Sequence, residues 1–509
     1  MSGRATAPAG TRAWAGMALL ALPTFLLGLD VTVLYLVLPA MAADLAPSAT
    51  QTLWAMDAYG FLLAGFLVTM GTLGDRVGRR RLLMIGIAAF AAVSVLAAFA
   101  PSAELLIAAR ALLGIAGATL MPSTLSLISN MFPDPQQRAV AIGVWATMFA
   151  AGMAAGPIVG GVLVDRFWWG AAFLFAVPVA AIVLLGRALL PEYADPHAGR
   201  LDLASVALSL TAILPIVYAV KHAAGEGFDA SVVIAVVVGV IAGTAFWRRQ
   251  SRLADPLLDV SLFKNRAFSV ALTVLLVGLV GMGGAMYLVT QYLQLVEGLS
   301  PFVAGLWMGP PALAMFAAGI GAPVLARRIR PGYVMGGTLG VSLIGYALLA
   351  TAGPDDELPV AAGFAFVYLG LGAIAALGTD IVVGAAPAAK SGSAASLSET
   401  VQELGIAIGV AILGSLTTAI YRTHLTVPAG LSDGEATALT DSLGSAVAIA
   451  DELPPAALVD AQLAFTTGLN VSTVVAGLAI AAATVLCLRM LRHVPQLGQA
   501  QRTDADADV

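Results

Sequence analysis

The sequence predicts an all-α integral membrane protein: two six-helix blocks with an extra pair of helices between them. Three observations predict it. The chain is 59% hydrophobic and only 11% charged, whereas a soluble domain carries roughly 25% charged residues. Its apolar runs are about 20 residues or longer, enough for a helix to cross the hydrocarbon core, whereas a barrel strand needs about 10 residues of alternating character. And its arginines and lysines collect in alternate connections between the runs.

The first block is read from runs at 14–41, 51–74, 81–100, 104–130, 137–164 and 167–190. Arg4 and Arg12 before the first run imitate a signal peptide, and Ala40-Met41-Ala42 imitates a cleavage site. The run is too long for such a segment and many more spans follow, so it is read as an uncleaved first helix. Runs at 202–221 and 230–247 form the inserted pair, followed by a charged loop at 248–266. The second block comprises 267–296, 301–326, 332–352, 358–386, 393–421 and 465–488. The expected divisions are therefore 1–200, 201–250 and 251–509. The long connection 422–464 has no Lys or Arg after Arg422. Its acidic composition predicts a solvated cap or disorder, with no chemistry of its own.

Charge sets the expected orientation. With both termini in the cytoplasm, 21 of the 25 Lys and Arg residues fall on the cytoplasmic side, as the positive-inside rule requires. Arg166, Lys221 and Arg422 are assigned to the outer side, and Arg110 alone to a span. Arginine far outnumbers lysine and alanine and glycine are heavily used, a composition typical of a GC-rich bacterial genome, so the expected location is a bacterial cell (inner) membrane. The single Cys487 excludes an internal disulfide and a cysteine metal site. A net charge of −5 does not suggest nucleic acid. His197, His222, His424 and His493 all lie in loops or the tail, no catalytic constellation is visible, and no phosphate-binding G-x-x-x-x-G-K-[ST] string occurs. An enzyme, an ATP-driven pump, a cofactor or a metal centre is therefore not expected.

Four stretches carry chemistry. Residues 26–39, LLGLDVTVLYLVLP, place Asp30 inside an apolar run, where an acid is costly and normally functional. The competing reading is a structural carboxylate bonded to its neighbour Thr32. Residues 71–83, GTLGDRVGRRRLL, combine Gly71 and Gly78, which permit close packing and a tight turn, with Asp75, Arg76 and Arg79, which can form and break a charged latch. Residues 106–118, LIAARALLGIAGA, place Arg110 within a span; the alternative to a functional arginine is a structural ion pair or a snorkelling side chain. Residues 152–161, GMAAGPIVGG, space Gly152, Gly156 and Gly160 for close helix approach. Gly161 adds a further small residue, and Pro157 frees a carbonyl and favours a kink.

Besides Asp30, four acids lie in or at the edge of spans away from the loop: Asp57, Asp380, Glu399 and Glu403. Burial favours the neutral form of a carboxylate, so such an acid can take a proton in one conformation and a cation in another. Glu399 and Glu403 are four apart and share a helix face. Trp54, Tyr59, Trp145, Met148, Met282, Met286, Tyr287, Tyr292, Trp307, Met308 and Phe316 are candidate linings of a drug cavity, since methionine and aromatic walls adapt to varied ligands.

Taken together, these strings resemble the major facilitator superfamily. The 71–83 run is similar to its signature between helices 2 and 3, which implies a conformational latch at Asp75, Arg76 and Arg79. The G-x-x-x-G-P-x-x-G-G run is similar to that of the exporting, proton-antiporting branch. The helix-4 resemblance is partial: Leu106, Arg110 and Gly114 match, Leu113 stands in place of a glutamine, and Gly117 is displaced by one. It implies a part for Arg110 in proton coupling. L-D-x-T-x-x-x-x-x-L-P resembles the helix-1 signature of the fourteen-helix drug:proton antiporters (the QacA/SmvA/LfrA-like family, with the actinobacterial LfrA-like pumps nearest). ARALLG, MPSTLSLI, 168–178, 299–305 and 388–405 extend the resemblance over most of the chain. It implies a major facilitator fold with two inserted helices. The implied function is proton-coupled efflux, by a monomer, of lipophilic cations and amphiphilic antibiotics such as dyes, quaternary ammonium compounds and fluoroquinolone-like drugs. A dedicated exporter of one antibiotic, siderophore or lipid-like metabolite remains the alternative. Some relatives carry an acid in helix 10; residues 301–326 have none, which favours monovalent over divalent cations. Dispersed intramembrane acids and the helix-5 glycines fit alternating access better than a continuous pore.

Overall fold

The computed structural model describes residues 10–192, 202–225, 227–253, 256–386 and 391–496. His197 and the first residues of the 388–405 run lie outside them. Fourteen described helices are long and apolar enough to cross a membrane. They are α1 Thr11–Leu45, α2 Ala49–Val77, α3 Arg79–Ala98, α4 Ala103–Met131, α5 Pro135–Arg166 and α6 Ala171–Leu189; α7 Leu203–Gly225 and α8 Ala230–Gln250; and α9 Arg266–Val296, α10 Pro301–Ala326, α11 Pro331–Leu349, α12 Glu357–Gly384, α13 Ser391–His424 and α14 Pro455–Met490.

Local chemistry starts and stops these helices where the sequence changes character. Ser48 and Gln51 form a reciprocal capping box at the start of α2, satisfying two amides that have no intrahelical partner. Asp134 caps α5 with Pro135 in its first turn, and Ser300 with Pro301 does the same for α10. Gly78, at φ +103°, ends α2 and turns the chain into α3, a conformation that suits a residue with no Cβ.

The two blocks repeat the same pairings. In the first, α1 packs on α5, and α2 and α3 pack on α4; in the second, α9 packs on α13, and α10 and α11 pack on α12. Both long crossings are built on glycine. A Cβ on Gly152 would lie 2.1 Å from the carbonyl of Phe25, and one on Gly409 would lie 2.1 Å from that of Val280. The repeat that is faint in the sequence is thus plain in the packing. Between blocks, α2 lies against α13 and α5 against α10. These seams close on the side away from the Gly78 turn: Gly161 abuts Pro301 and Phe302, Gly305 abuts the Pro157 carbonyl, and Gly414 abuts Leu53. The pair α7–α8 stands outside the blocks. Its α8 exposes Val233, Ile234, Val237, Val240 and Ile241, as a lipid-facing helix does.

The 422–464 connection is ordered, which corrects the alternative of disorder. Two short helices, Asp433–Asp441 and Leu443–Ala448, begin with serine caps. Leu439, Leu443 and Ala446 are buried in the main core. Asp441 ties the segment down: it pairs with Arg422 at 3.2 Å and accepts from the Ala49 amide at 2.9 Å, while the Tyr421 hydroxyl donates to the Leu439 carbonyl. The segment therefore caps the seam where α1 and α2 meet α9, α13 and α14, above a hollow lined by Leu38, Tyr287, Gln291, Thr417 and Phe465.

Candidate substrate and proton site

Asp30 sits mid-way along α1, 4% exposed. Its partner is not Thr32 but Arg110 of α4, whose Nη1 lies 2.8 Å from Oδ2. The guanidinium also donates to the Ala55 carbonyl of α2 at 3.2 Å and lies 4.5 Å over the Tyr59 ring. Gly114, one turn further along α4, permits this by letting the backbone of α2 come close: a Cβ there would lie 2.3 Å from the Tyr59 carbonyl.

Thr32 has a different task. Pro157 has no amide hydrogen, so the carbonyl four residues earlier in α5, that of Met153, loses its helical donor. The Thr32 hydroxyl supplies one across the α1–α5 crossing, at 2.8 Å. Gly156 makes room for it, since a Cβ at that position would lie 2.0 Å from Thr32 Oγ1. The helix-1 threonine and the helix-5 G-P pair are therefore two halves of one contact. Gly152 and Gly160 continue it along α1, whereas Gly161 faces α10.

Asp57 of α2 is 1% exposed and faces Lys221, also 1% exposed, at 2.8 Å. The charge distribution assigns Lys221, the last residue of the 202–221 run, to the outer side and leaves Arg110 as the cation within a span. Helix α7 instead continues to Gly225 and turns Lys221 into the protein, its ammonium 4.2 Å over the Trp54 ring. The apolar pattern alone gave one clue to this: Leu214, Val217 and Lys221 recur on one helix face.

Glu403 of α13, 5% exposed, completes the cluster. Val31, Tyr35, Met56, Asp57, Tyr59, Arg110 and Glu403 line one narrow chamber where the first block meets α13. Its free space of about 20 Å³ has room for roughly one water molecule. Glu399 lies one turn away and is half-buried, while Asp380 is exposed near the end of α12. Among the described residues no set of His, Cys, Asp and Glu side chains is arranged to hold a metal.

The aromatic and methionine candidates are spread more widely than one cavity. Tyr59 lines the chamber, Trp54 covers Lys221, and Tyr287 lines the hollow beneath the cap. Trp145 donates to the Thr124 hydroxyl at 3.0 Å, and Met286 accepts from Tyr368 at 2.9 Å. Met282 and Met308 are core residues. Tyr292 pins the end of α9 to the Gly353 carbonyl. Met148, Trp307 and Phe316 are half-buried away from the chamber.

The sequence motif expected as a loop is instead the last turns of α2 and the first residue of α3, joined at Gly78: Arg79 pairs with Asp75 at 2.6 Å, Gly71 faces Pro122 of α4, and Arg76 is exposed. Arg80, which the sequence offers only as one of three arginines that suit the cytoplasmic side, also joins it: it pairs with Glu192 at 3.2 Å and donates to the Leu190 carbonyl at 3.0 Å. The α2–α3 junction is thereby tied to the segment following α6.

Residues 20–410 match the model of the Major Facilitator Superfamily. The chain belongs to the major facilitator superfamily. It is 46% identical over 484 residues to the multidrug efflux pump LfrA of Mycolicibacterium smegmatis, covering 94% of this chain and 96% of that one. It is 34% identical over 451 residues to the methyl viologen resistance protein SmvA of Salmonella typhimurium, covering 87% and 90%. Among solved structures it resembles a bacterial homolog of the human lysosomal transporter Spinster, crystallised inward-facing and unoccupied. That likeness has a TM-score of 0.67 at 17% identity, over 95% of this chain and 98% of the other, and concerns the fold alone. As a member of this superfamily the chain is a multi-pass membrane transporter, not an enzyme.

Proposed function

We propose that this major facilitator protein exports lipophilic cations and amphiphilic antibiotics in exchange for protons. One observation carries the reading: two buried carboxylate–cation pairs, Asp30–Arg110 and Asp57–Lys221, and Glu403 meet at the seam between the two six-helix blocks. A carboxylate held by an internal cation can release it for a proton or for a cationic substrate, but not for both at once. That exclusion couples the inward proton to the outward drug, and each inward proton releases about 2.3 kcal/mol per 100 mV of membrane potential. The proton gradient supplies the energy, with no cofactor. The names of the relatives, an efflux pump and a methyl viologen resistance protein, favour cationic drugs as cargo.

In this reading residues 1–200 and 251–509 form the halves that rock against each other, and 201–250 the inserted pair. The arginine distribution supports an orientation with both termini in the cytoplasm of a bacterial cell and the Asp75–Arg79 latch on that side. Closure on the opposite side then makes this the inward-open half of the cycle. The protein works as a monomer.

The test is transport in proteoliposomes with an imposed pH gradient, following ethidium. Wild-type protein is expected to move the dye only with the gradient, and Asp30→Asn to move none. Gradient-independent movement would refute coupling. A wild type that ignores ethidium but dissipates the gradient when another single compound is added would replace multidrug export with a dedicated exporter.

A further inference from the structure

The two inserted helices are fastened to each other at both ends. At one end His222 meets Asp229 at 3.3 Å and stacks on Tyr218; at the other Arg249 pairs with Asp202 at 2.9 Å and Gln250 donates to Ser205 at 2.6 Å. Between these ties α7 lays Ile213, Leu214 and Val217 against Phe61 of α2 and Ala407 of α13. It therefore spans the seam that alternating access opens and closes. One turn beyond this stripe, Lys221 enters the protein.

What Lys221 enters has the form of a cation receptor. Trp54 and Asp57 are three apart on α2, so the indole face and the carboxylate form two walls of one box. An aromatic face beside a carboxylate is the chemistry that recognises organic ammonium ions. The lysine ammonium fills the box, 2.8 Å from Oδ2 and 4.2 Å from the ring centroid. Apart from each other, Lys221 Nζ and the carboxylate oxygens of Asp57 have no polar partner among the described residues, although all are buried. A buried pair that serves stability fills its remaining hydrogen-bonding capacity from its surroundings; the Asp30–Arg110 pair does so in part, since the guanidinium also donates to the Ala55 carbonyl.

We propose that Lys221 is a tethered competitor for this box: an exported organic cation binds by displacing the lysine from Trp54 and Asp57, and the lysine displaces the cation again on release. The inserted helices are then part of the transport site rather than a spacer. This rests on the export reading, and the test separates the two.

Equilibrium binding of tetraphenylphosphonium to purified protein needs no gradient and no turnover. Lys221→Met removes the competitor and is expected to tighten binding about tenfold, the size of one desolvated cation–aromatic contact. In proteoliposomes the same variant is expected to show a lower KM for ethidium together with a lower maximal rate, because release has lost its displacing group. Unchanged or weaker binding by folded Lys221→Met would overturn the proposal, as would a wild type that binds no tetraphenylphosphonium. Should the variant not fold, the wild type decides. The chain has three lysines, Lys221, Lys264 and Lys390, so ¹³Cε-lysine resonances are few. Tetraphenylphosphonium should move the Lys221 signal and leave the other two, and a titration that leaves Lys221 unmoved sinks the idea. If wild type binds the cation but does not transport ethidium with the gradient, the coupling reading fails and the binding comparison still judges this one.

Discussion

Gly156→Ala tests the contact that joins α1 to α5. The added Cβ would lie 2.0 Å from Thr32 Oγ1 and 3.0 Å from both the Leu29 carbonyl and the Val33 amide. The last two are backbone, so the strain is relieved only if the two helices separate or Thr32 rotates away. Separation overpacks a tight crossing, at about 1–3 kcal/mol. Rotation strands the Met153 carbonyl, already without its helical donor because of Pro157, at about 1–3 kcal/mol for an unsatisfied buried group. Either route destabilises by a few kcal/mol at most, and the two costs are alternatives rather than a sum. Thr32→Ala alone also strands that carbonyl but removes the nearest clash. In the double variant the two costs therefore overlap, and the loss should fall short of the sum of the singles by about 1 kcal/mol, within the range for residues in contact. The assay is thermal or denaturant unfolding in detergent, followed by size-exclusion recovery, on wild type, both single variants and the double. Strictly additive losses, or a Gly156→Ala protein as stable as wild type, would refute the account of the threonine, the proline and the glycine as one device.

Arg110→Gln leaves the Asp30 carboxylate buried without its counter-ion, and breaking such a pair costs about 3–5 kcal/mol; Asp30→Asn with Arg110→Gln should recover most of that stability in unfolding assays while ethidium transport stays absent. Asp441→Ala removes the acceptor for the Ala49 amide and the partner of Arg422, so limited proteolysis should cut within 425–454 much faster than in wild type, with the spanning helices still protected.

Much of this protein was legible in one dimension. The length and hydropathy of each run mark a spanning helix because an apolar stretch has few other stable fates in a bilayer, and all fourteen runs are helices in the structure. The cost of a buried charge likewise singled out Asp30, Asp57, Arg110 and Glu403 before any contact was known. The pairings were not legible. Which carboxylate meets which cation depends on the rotation of each helix about its axis, and glycine contacts such as Gly114 against Tyr59 and Gly156 against Thr32 set that rotation. Lys221 shows the limit most clearly. At the end of an apolar run a lysine reads as an outer-surface residue, and only the seating of α7 in the seam, with Asp57 waiting on α2, keeps it from water. The 422–464 cap was hidden for the same reason: its few apolar residues, Leu439, Leu443 and Ala446, look too sparse to fold alone, and they are ordered by a surface that the distant helices supply. Sequence settles what each segment must bury; the tertiary structure settles against what, because burial is a property of the segment and partnership is a property of the pair.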